Sequence, residues 1–316
     1  MRELRIIEVK SEIGAGTRGA RLGSAALRTV SFEKGHSFFK DTESVDVKTF
    51  NDELHVIEEK SPAKYSNAVL KTCSNVSETV GDCLKDGKFP FVIAGDHSSA
   101  AGTIFGIKSA NPEKRLGVIW IDAHPDLQTP YTSESGNMHG MPLAMVTGTD
   151  NQHLSVNEVP ENIVNSWEEI KQLAGGKPAI NLNDIVFVGA RDIDKAEAST
   201  IQSHGIKNYT VSEVRQTNVE SVCKKILQDL NDCDIIYISF DVDSLDPSVS
   251  EGTGTPVPDG FMPDEAQGIL LGLLSSKKIV AVEFVEINPT LDVKNKMAKT
   301  VFPIVISAGE ALKKSN

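Results

Sequence analysis

No run of apolar residues in this 316-residue chain approaches the roughly 18–20 that a membrane-crossing helix needs. Its first residues, MRELRIIEVK, carry charges through any would-be signal core, so the expected location is cytoplasmic, with no membrane partner. Cysteine is scarce. Cys73, Cys83, Cys223 and Cys233 match neither zinc spacings nor a dense disulfide framework, and they read as reduced thiols on or near helices. Basic residues are the minority, 32 against 44 acidic, for a formal net charge of −12. A protein that tracks phosphates needs clustered Lys and Arg, so a nucleic-acid partner is not expected. Internal repeats, low-complexity tracts and Pro/Ser-rich linkers are also missing, which favours one domain over residues 1–316.

What the chain does have is a set of short apolar, β-branched runs: LRIIEV (4–9), HVIE (55–58), FPFVIAG (89–95), LGVIWID (116–122), DIVFVGAR (184–191), IIYISFD (235–241) and IVAVEFVE (279–286), with IKNYT (206–210) a weaker one. Their near-continuous hydrophobicity is that of strands buried on both faces. Helical periodicity fills segments between them, as in 64–87, 221–232 and 263–276. Alternating strands and helices predict an α/β protein with a parallel sheet between helical layers.

Five of these runs end in charged or imidazole-bearing residues: Asp96-His97, Asp122 to Asp126, Arg191 to Asp194, Asp241 to Asp243, and Glu286. The carboxyl edge of such a sheet is where α/β proteins carry their sites, so a single shared site is the economical reading. The turn-rich GTGTPVPDG segment (252–260) reads as a loop of that site. Asp-x-His-x-Asp leaving a strand projects alternate side chains the same way, so Asp122, His124 and Asp126 can converge, and Asp241-x-Asp243 repeats the device. With His97, the set holds two imidazoles, four carboxylates and no thiolate. Such donors favour hard or borderline divalent ions such as Mn²⁺ over structural zinc, and their number suits two ions sharing a water.

The motifs GTRGARLGSAALR (16–28), GDHS (95–98), DAHPD (122–126), SGNMHGMP (135–142), GARDID (189–194), SFDVDSLDP (239–247), GTGTPV (252–257) and EINP (286–289) together resemble the arginase branch of the ureohydrolases, metal-dependent hydrolases of guanidino compounds. The resemblance implies a three-layer α/β/α domain on a mostly parallel, about eight-stranded sheet, and two Mn²⁺ per subunit. It puts His97, Asp122, Asp126 and Asp241 around one ion and Asp122, His124, Asp241 and Asp243 around the other, with Asp122 and Asp241 bridging. A metal-bridging hydroxide would attack the guanidinium carbon of L-arginine, giving L-ornithine and urea. Asp126 would orient that hydroxide, His139 would shuttle protons, and Glu286 would pair with the guanidinium. Thr255 matches a threonine beside the guanidinium, Ser135 a carboxylate-binding position, and Asp194 and Glu197 the groups facing the α-amino end. Gln128 stands where arginases carry asparagine, which keeps the amide but displaces it by a methylene. That leaves open a ureohydrolase of other specificity, such as an agmatinase, guanidinobutyrase or formiminoglutamase, or a catalytically silent metal- or arginine-binding protein. Relatives are often trimers or hexamers, so a homo-oligomer is expected.

Overall fold

In the computed structural model, which describes residues 2–58 and 60–314, eight strands form a single all-parallel sheet. They are β1 (Leu4–Val9), β2 (Glu43–Asp46), β3 (Phe89–Ala94), β4 (Leu116–Ile121), β5 (Ile185–Val188), β6 (Lys207–Tyr209), β7 (Ile235–Asp241) and β8 (Ile279–Val285). Their spatial order is β2-β1-β3-β8-β7-β4-β5-β6. The most apolar runs, β3, β8, β7 and β4, therefore take the middle of the sheet, where both faces are covered.

Two-residue periodicity divides the core between those faces. From β4, Ile119 and Ile121 join the helices Gly23–Glu33, Val219–Asp229, Pro263–Leu274 and Lys296–Lys314 on one side. Val118 and Trp120 point the other way, into the helices Ser66–Lys85, Ala100–Ala110, Pro142–Thr147 and Glu161–Lys171. The result is the three-layer α/β/α arrangement expected from the alternating pattern. No helix among the described residues is long and apolar enough to cross a membrane.

One expected strand is absent from the sheet. HVIE (55–58) closes a 3₁₀ turn, Asn51–His55, and continues as irregular chain with Val56 63% and Ile57 77% exposed. The sheet edge is taken instead by Glu43–Asp46, which pairs in parallel with β1 from Arg5↔Glu43 to Glu8↔Asp46. ESVD carries no apolar run, because an edge strand with exposed side chains needs backbone pairing more than burial. All four cysteines are free and buried. Cys73 and Cys83 lie on the helix Ser66–Lys85, Cys223 on Val219–Asp229, and Cys233 just before β7.

Candidate active site

The sheet order brings the carboxyl ends of β3, β8, β7 and β4 side by side, and each leads directly into polar residues. Beyond β3, Gly95 is forced by packing, since a Cβ there would collide with the Ser11 carbonyl oxygen. Asp96 then caps the turn His97–Ser99, and the His97 ring is held flat against Trp120 of β4, with ring centroids 4.1 Å apart and planes 4° from parallel.

His97 Nδ1 faces three carboxylates: Asp122 Oδ2 at 3.0 Å, Asp126 Oδ2 at 3.1 Å and Asp241 Oδ2 at 3.1 Å. Asp122 turns its other oxygen toward a second group, in which His124 Nδ1 lies 3.4 Å from Asp122 Oδ1 and 3.0 Å from Asp243 Oδ2. Two ligand clusters result, His97-Asp122-Asp241 and Asp122-His124-Asp243, with Asp122 common to both. Asp241 Oδ2 faces the first cluster, while its Oδ1 accepts the Asp243 N–H at 2.7 Å. That hydrogen bond caps the turn Val242–Ser244 and fixes the spacing between the two aspartates.

Without a cation this assembly is electrostatically costly. Burial alone would depress the His97 imidazole, but the surrounding Asp122, Asp126 and Asp241 hold it well above its ordinary value. His124 is raised in the same way by Asp243 and Asp122, against its own burial. Burial and mutual repulsion push Asp126 and Asp241 up, and Asp243 to about 6. Protons are thus drawn to where cations would sit. His97 Nδ1 and Asp122 Oδ2 are buried at the point of convergence, and neither makes a hydrogen bond. Orphaned donor atoms of N/O chemistry, aimed inward from rigid strand ends, fit divalent ions.

Two side chains at the site sit on left-handed backbone, Asp126 at φ 50° and Glu286 at φ 64°. Such conformations cost about 1–3 kcal/mol for non-glycine residues and persist where the surroundings enforce them. Here the Glu286 N–H donates to the Gly95 carbonyl at 2.7 Å, and the Asp126 carbonyl accepts from Leu143 N–H at 3.1 Å. Glu286, 2% exposed, accepts at Oε1 from the His97 N–H at 2.9 Å and lies 3.0 Å from His139 Nδ1. Burial would raise the Glu286 carboxyl, yet His139 brings it below its ordinary value, and Glu286 in turn raises His139 against burial.

A cleft of about 270 Å³ opens above these groups. His97, His124, Asp126, Asp241 and Asp243 face it from below, and Gln128, Ser135, His139, Asp194, Glu197 and Thr255 line its walls. Thr255 Oγ1 donates to Asp243 Oδ2 at 3.1 Å, tying the GTGTPV loop to the β7 end. Asp194 and Glu197 form a capping box on the helix Lys195–His204. Glu197 Oε1 accepts from Leu127 N–H at 3.0 Å and Oε2 from Asp194 N–H at 3.1 Å, so both its oxygens are engaged by backbone. Burial and Asp194 push Glu197 up to about 8. The Gln128 amide is engaged as well, with Nε2 donating to Asp194 Oδ2 at 3.0 Å and Oε1 accepting from Ser133 Oγ at 2.9 Å.

Three further residues belong to the site, and none of them was given a role of its own from the sequence. Asn137 and Asp192 line the cleft, and both fall inside motifs already noticed, SGNMHGMP and GARDID. Arg191 donates to the carbonyls of Asp243, Val257, Pro258 and Gly189, stitching the β5 end to the β7 end and the GTGTPV loop. A half-buried arginine directed at carbonyls leaves no trace in sequence beyond the motif that contains it.

Comparison with known proteins agrees with this geometry. The family model described as "Arginase family" matches residues 2–309. The arginase of Bacillus subtilis is 35% identical over 305 residues, covering 96% of each chain. The solved arginase of Bacillus caldovelox superposes with a TM-score of 0.83 at 33% identity, covering 100% of this chain and 99% of that one. The Entamoeba histolytica arginase, solved in complex with L-ornithine, gives 0.81 at 27% identity over 100% of both chains.

Proposed function

The chain belongs to the arginase family, and on that premise we propose that it hydrolyses the guanidinium group of L-arginine to L-ornithine and urea, using two Mn²⁺ per subunit. The observation that carries the metal requirement is the pair of inward-facing clusters that share Asp122, with His97 Nδ1 and Asp122 Oδ2 unpartnered at their centre. His97, Asp122, Asp126 and Asp241 would hold one ion, and Asp122, His124, Asp241 and Asp243 the other. When bound, the ions supply a water acidic enough to act as nucleophile near neutral pH.

The chain's own residues do the rest. Asp126, held in place by its left-handed backbone, orients the nucleophile and takes its proton for the leaving amine. Glu286 offers a carboxylate to the planar, multiply donating guanidinium. His139, on the cleft wall and 3.0 Å from Glu286, moves protons between site and solvent. Thr255 sits beside the guanidinium, and Ser135 receives the substrate carboxylate. Asp194 faces the α-amino group, and Glu197 acts by holding Asp194 and the Asp126–Leu127 backbone in position. The catalytic unit is taken as one domain over residues 1–316, of which 1, 59, 315 and 316 lie outside the described residues. We place it in the cytoplasm as a homo-oligomer.

A second reading, a ureohydrolase of other specificity, is favoured by one observation: the Gln128 amide is clamped between Ser133 and Asp194. In that position it occupies one oxygen of the carboxylate proposed to face an α-amino group. Release of urea from arginine, agmatine and guanidinobutyrate, and of formamide from formiminoglutamate, by Mn²⁺-loaded protein separates the two. Arginine is expected to have the highest kcat/KM, and a clear preference for any other member overturns the arginine assignment. Gln128→Asn is expected to raise kcat/KM for arginine about tenfold, the effect of about 1.4 kcal/mol from one hydrogen bond to a charged group. Unchanged kinetics would dismiss the clamp as a determinant.

A further inference from the structure

Residues 61–65, which lead into the helix Ser66–Lys85, lie against the SGNMHGMP loop and have no part in the hydrolytic reading. The Lys64 N–H donates to the Gly136 carbonyl at 2.8 Å. Gly136 itself, at φ 68°, has no room for a side chain, since a Cβ there would collide with the Ser61 carbonyl oxygen. One residue further along the loop, the half-buried Lys64 side chain donates from Nζ to Asn137 Oδ1 at 3.0 Å. Asn137 lines the cleft together with Ser135.

The charge around this contact is lopsided. Asp126, Asp192, Asp194, Glu197, Asp241 and Asp243 all line the cleft, and among the described residues no lysine or arginine does. Lys64 stands one side chain behind the wall and makes no ion pair with a carboxylate among the described residues, so its charge is uncompensated. An ammonium only donates, so the end of the Asn137 amide turned toward Lys64 is the carbonyl oxygen, and the N–H groups are left for other partners. Among the described residues Nδ2 has none. It is also unobstructed, because Gly16 beside it carries no side chain and a Cβ there would crowd that nitrogen.

We propose that Lys64 determines specificity for guanidino substrates that bear a carboxylate: it fixes the Asn137 amide with its N–H groups free to donate, and it supplies the positive charge that the Ser135–Asn137 wall lacks. The guanidinium end cannot make this distinction. Agmatine is arginine without the carboxylate and presents the same group to Glu286, so discrimination between the two has to arise at the far end of the cleft. A cation behind a neutral donor wall favours the anionic head group there. Lys64 is a positioning residue that acts through Asn137.

The inference rests on the arginine reading, with the substrate carboxylate at Ser135, and the experiment keeps the two apart. kcat and KM for arginine and agmatine are measured with the Mn²⁺-loaded full chain for wild type, Lys64→Met and Lys64→Arg, agmatine being read as a competitive inhibitor where its turnover is too slow. Methionine keeps an apolar stem without donor or charge, and the backbone tether to Gly136 does not depend on the side chain. Lys64→Met is expected to lose about tenfold in kcat/KM for arginine, mostly through KM, while agmatine moves by less than about twofold, as when one charge-assisted contact to the bound substrate is removed. Lys64→Arg, with charge and donors kept, retains most of the arginine preference. Equal losses for both substrates mean that Lys64 only holds the loop, and they overturn the proposal. If Lys64→Met does not fold, Lys64→Gln is read in the same way. A wild-type chain that prefers agmatine defeats the arginine reading and this inference together, whereas an arginine preference left intact in Lys64→Met defeats only the inference.

Discussion

Replacing Asp241 by asparagine should reverse the order of stability between metal-free and metal-loaded protein. Asp241 is 2% exposed and packed among Asp122, Asp243 and His97, with burial and the neighbouring carboxylates all disfavouring its charge. Asparagine keeps an acceptor for the Asp243 N–H, so the turn retains its cap, but one buried negative charge is gone. Metal-free Asp241→Asn should therefore melt at or above metal-free wild type. Loaded protein should behave in the opposite way. At a free Mn²⁺ concentration 100 times the dissociation constant, each site adds about 2.7 kcal/mol, so two sites add about 5 kcal/mol. For a chain of this size that corresponds to a rise in melting temperature on the order of 10 °C. Asp241→Asn, losing a ligand to at least one ion, should recover about half of that rise or less. Differential scanning calorimetry with chelator and with saturating Mn²⁺ reads all four states. Equal Mn²⁺-induced shifts in wild type and variant would refute the placement of Asp241 at a cation. A metal-free variant several degrees below wild type would refute the claim that carboxylate repulsion strains the empty clusters.

Other consequences are open to direct measurement. His139→Ala should lower kcat about 100-fold, at the modest end for a positioned proton carrier, with Mn²⁺ affinity unchanged; a parallel loss of metal would point to a structural role through Glu286. The four thiols should resist a disulfide reagent at pH 8 in native protein, since burial pushes Cys73, Cys83 and Cys233 to about 12 and Cys223 to about 11, and all four should react once urea unfolds the chain. On β1, burial would raise Glu8, but hydrogen bonds from Arg28 and Ser24 bring it below its ordinary value. Its contribution is therefore complete above the unfolded-state carboxylate pKa and fades as pH falls through the lower folded value. Glu8→Gln should cost about 2 kcal/mol in urea unfolding at pH 7 and progressively less in acid; a pH-independent cost would contradict the ionic origin.

The five residues of the two candidate ligand clusters, His97, Asp122, His124, Asp241 and Asp243, were legible in the sequence because strand ends are local events. An apolar run ends, and the alternation of a strand aims residues 122, 124 and 126, or 241 and 243, to one side. HVIE misled for a related reason, since β-branched residues in a short run look alike whether a sheet accepts them or solvent does. The edge strand ESVD was invisible because its place depends on pairing with β1, which no local pattern encodes.

Sequence by itself thus determined the fold class, the edge of the sheet that carries chemistry, and the donor types gathered there. Tertiary structure alone decided which oxygen of Asp122 faces which imidazole, that Glu286 is coupled to His139, and that Gln128 is clamped to Asp194. The physical reason is the same in each case. A side chain's direction is set by its own backbone, but its partner can lie far along the chain, 147 residues away for His139 and Glu286, and only the assembled sheet with its loops brings the two within hydrogen-bond reach.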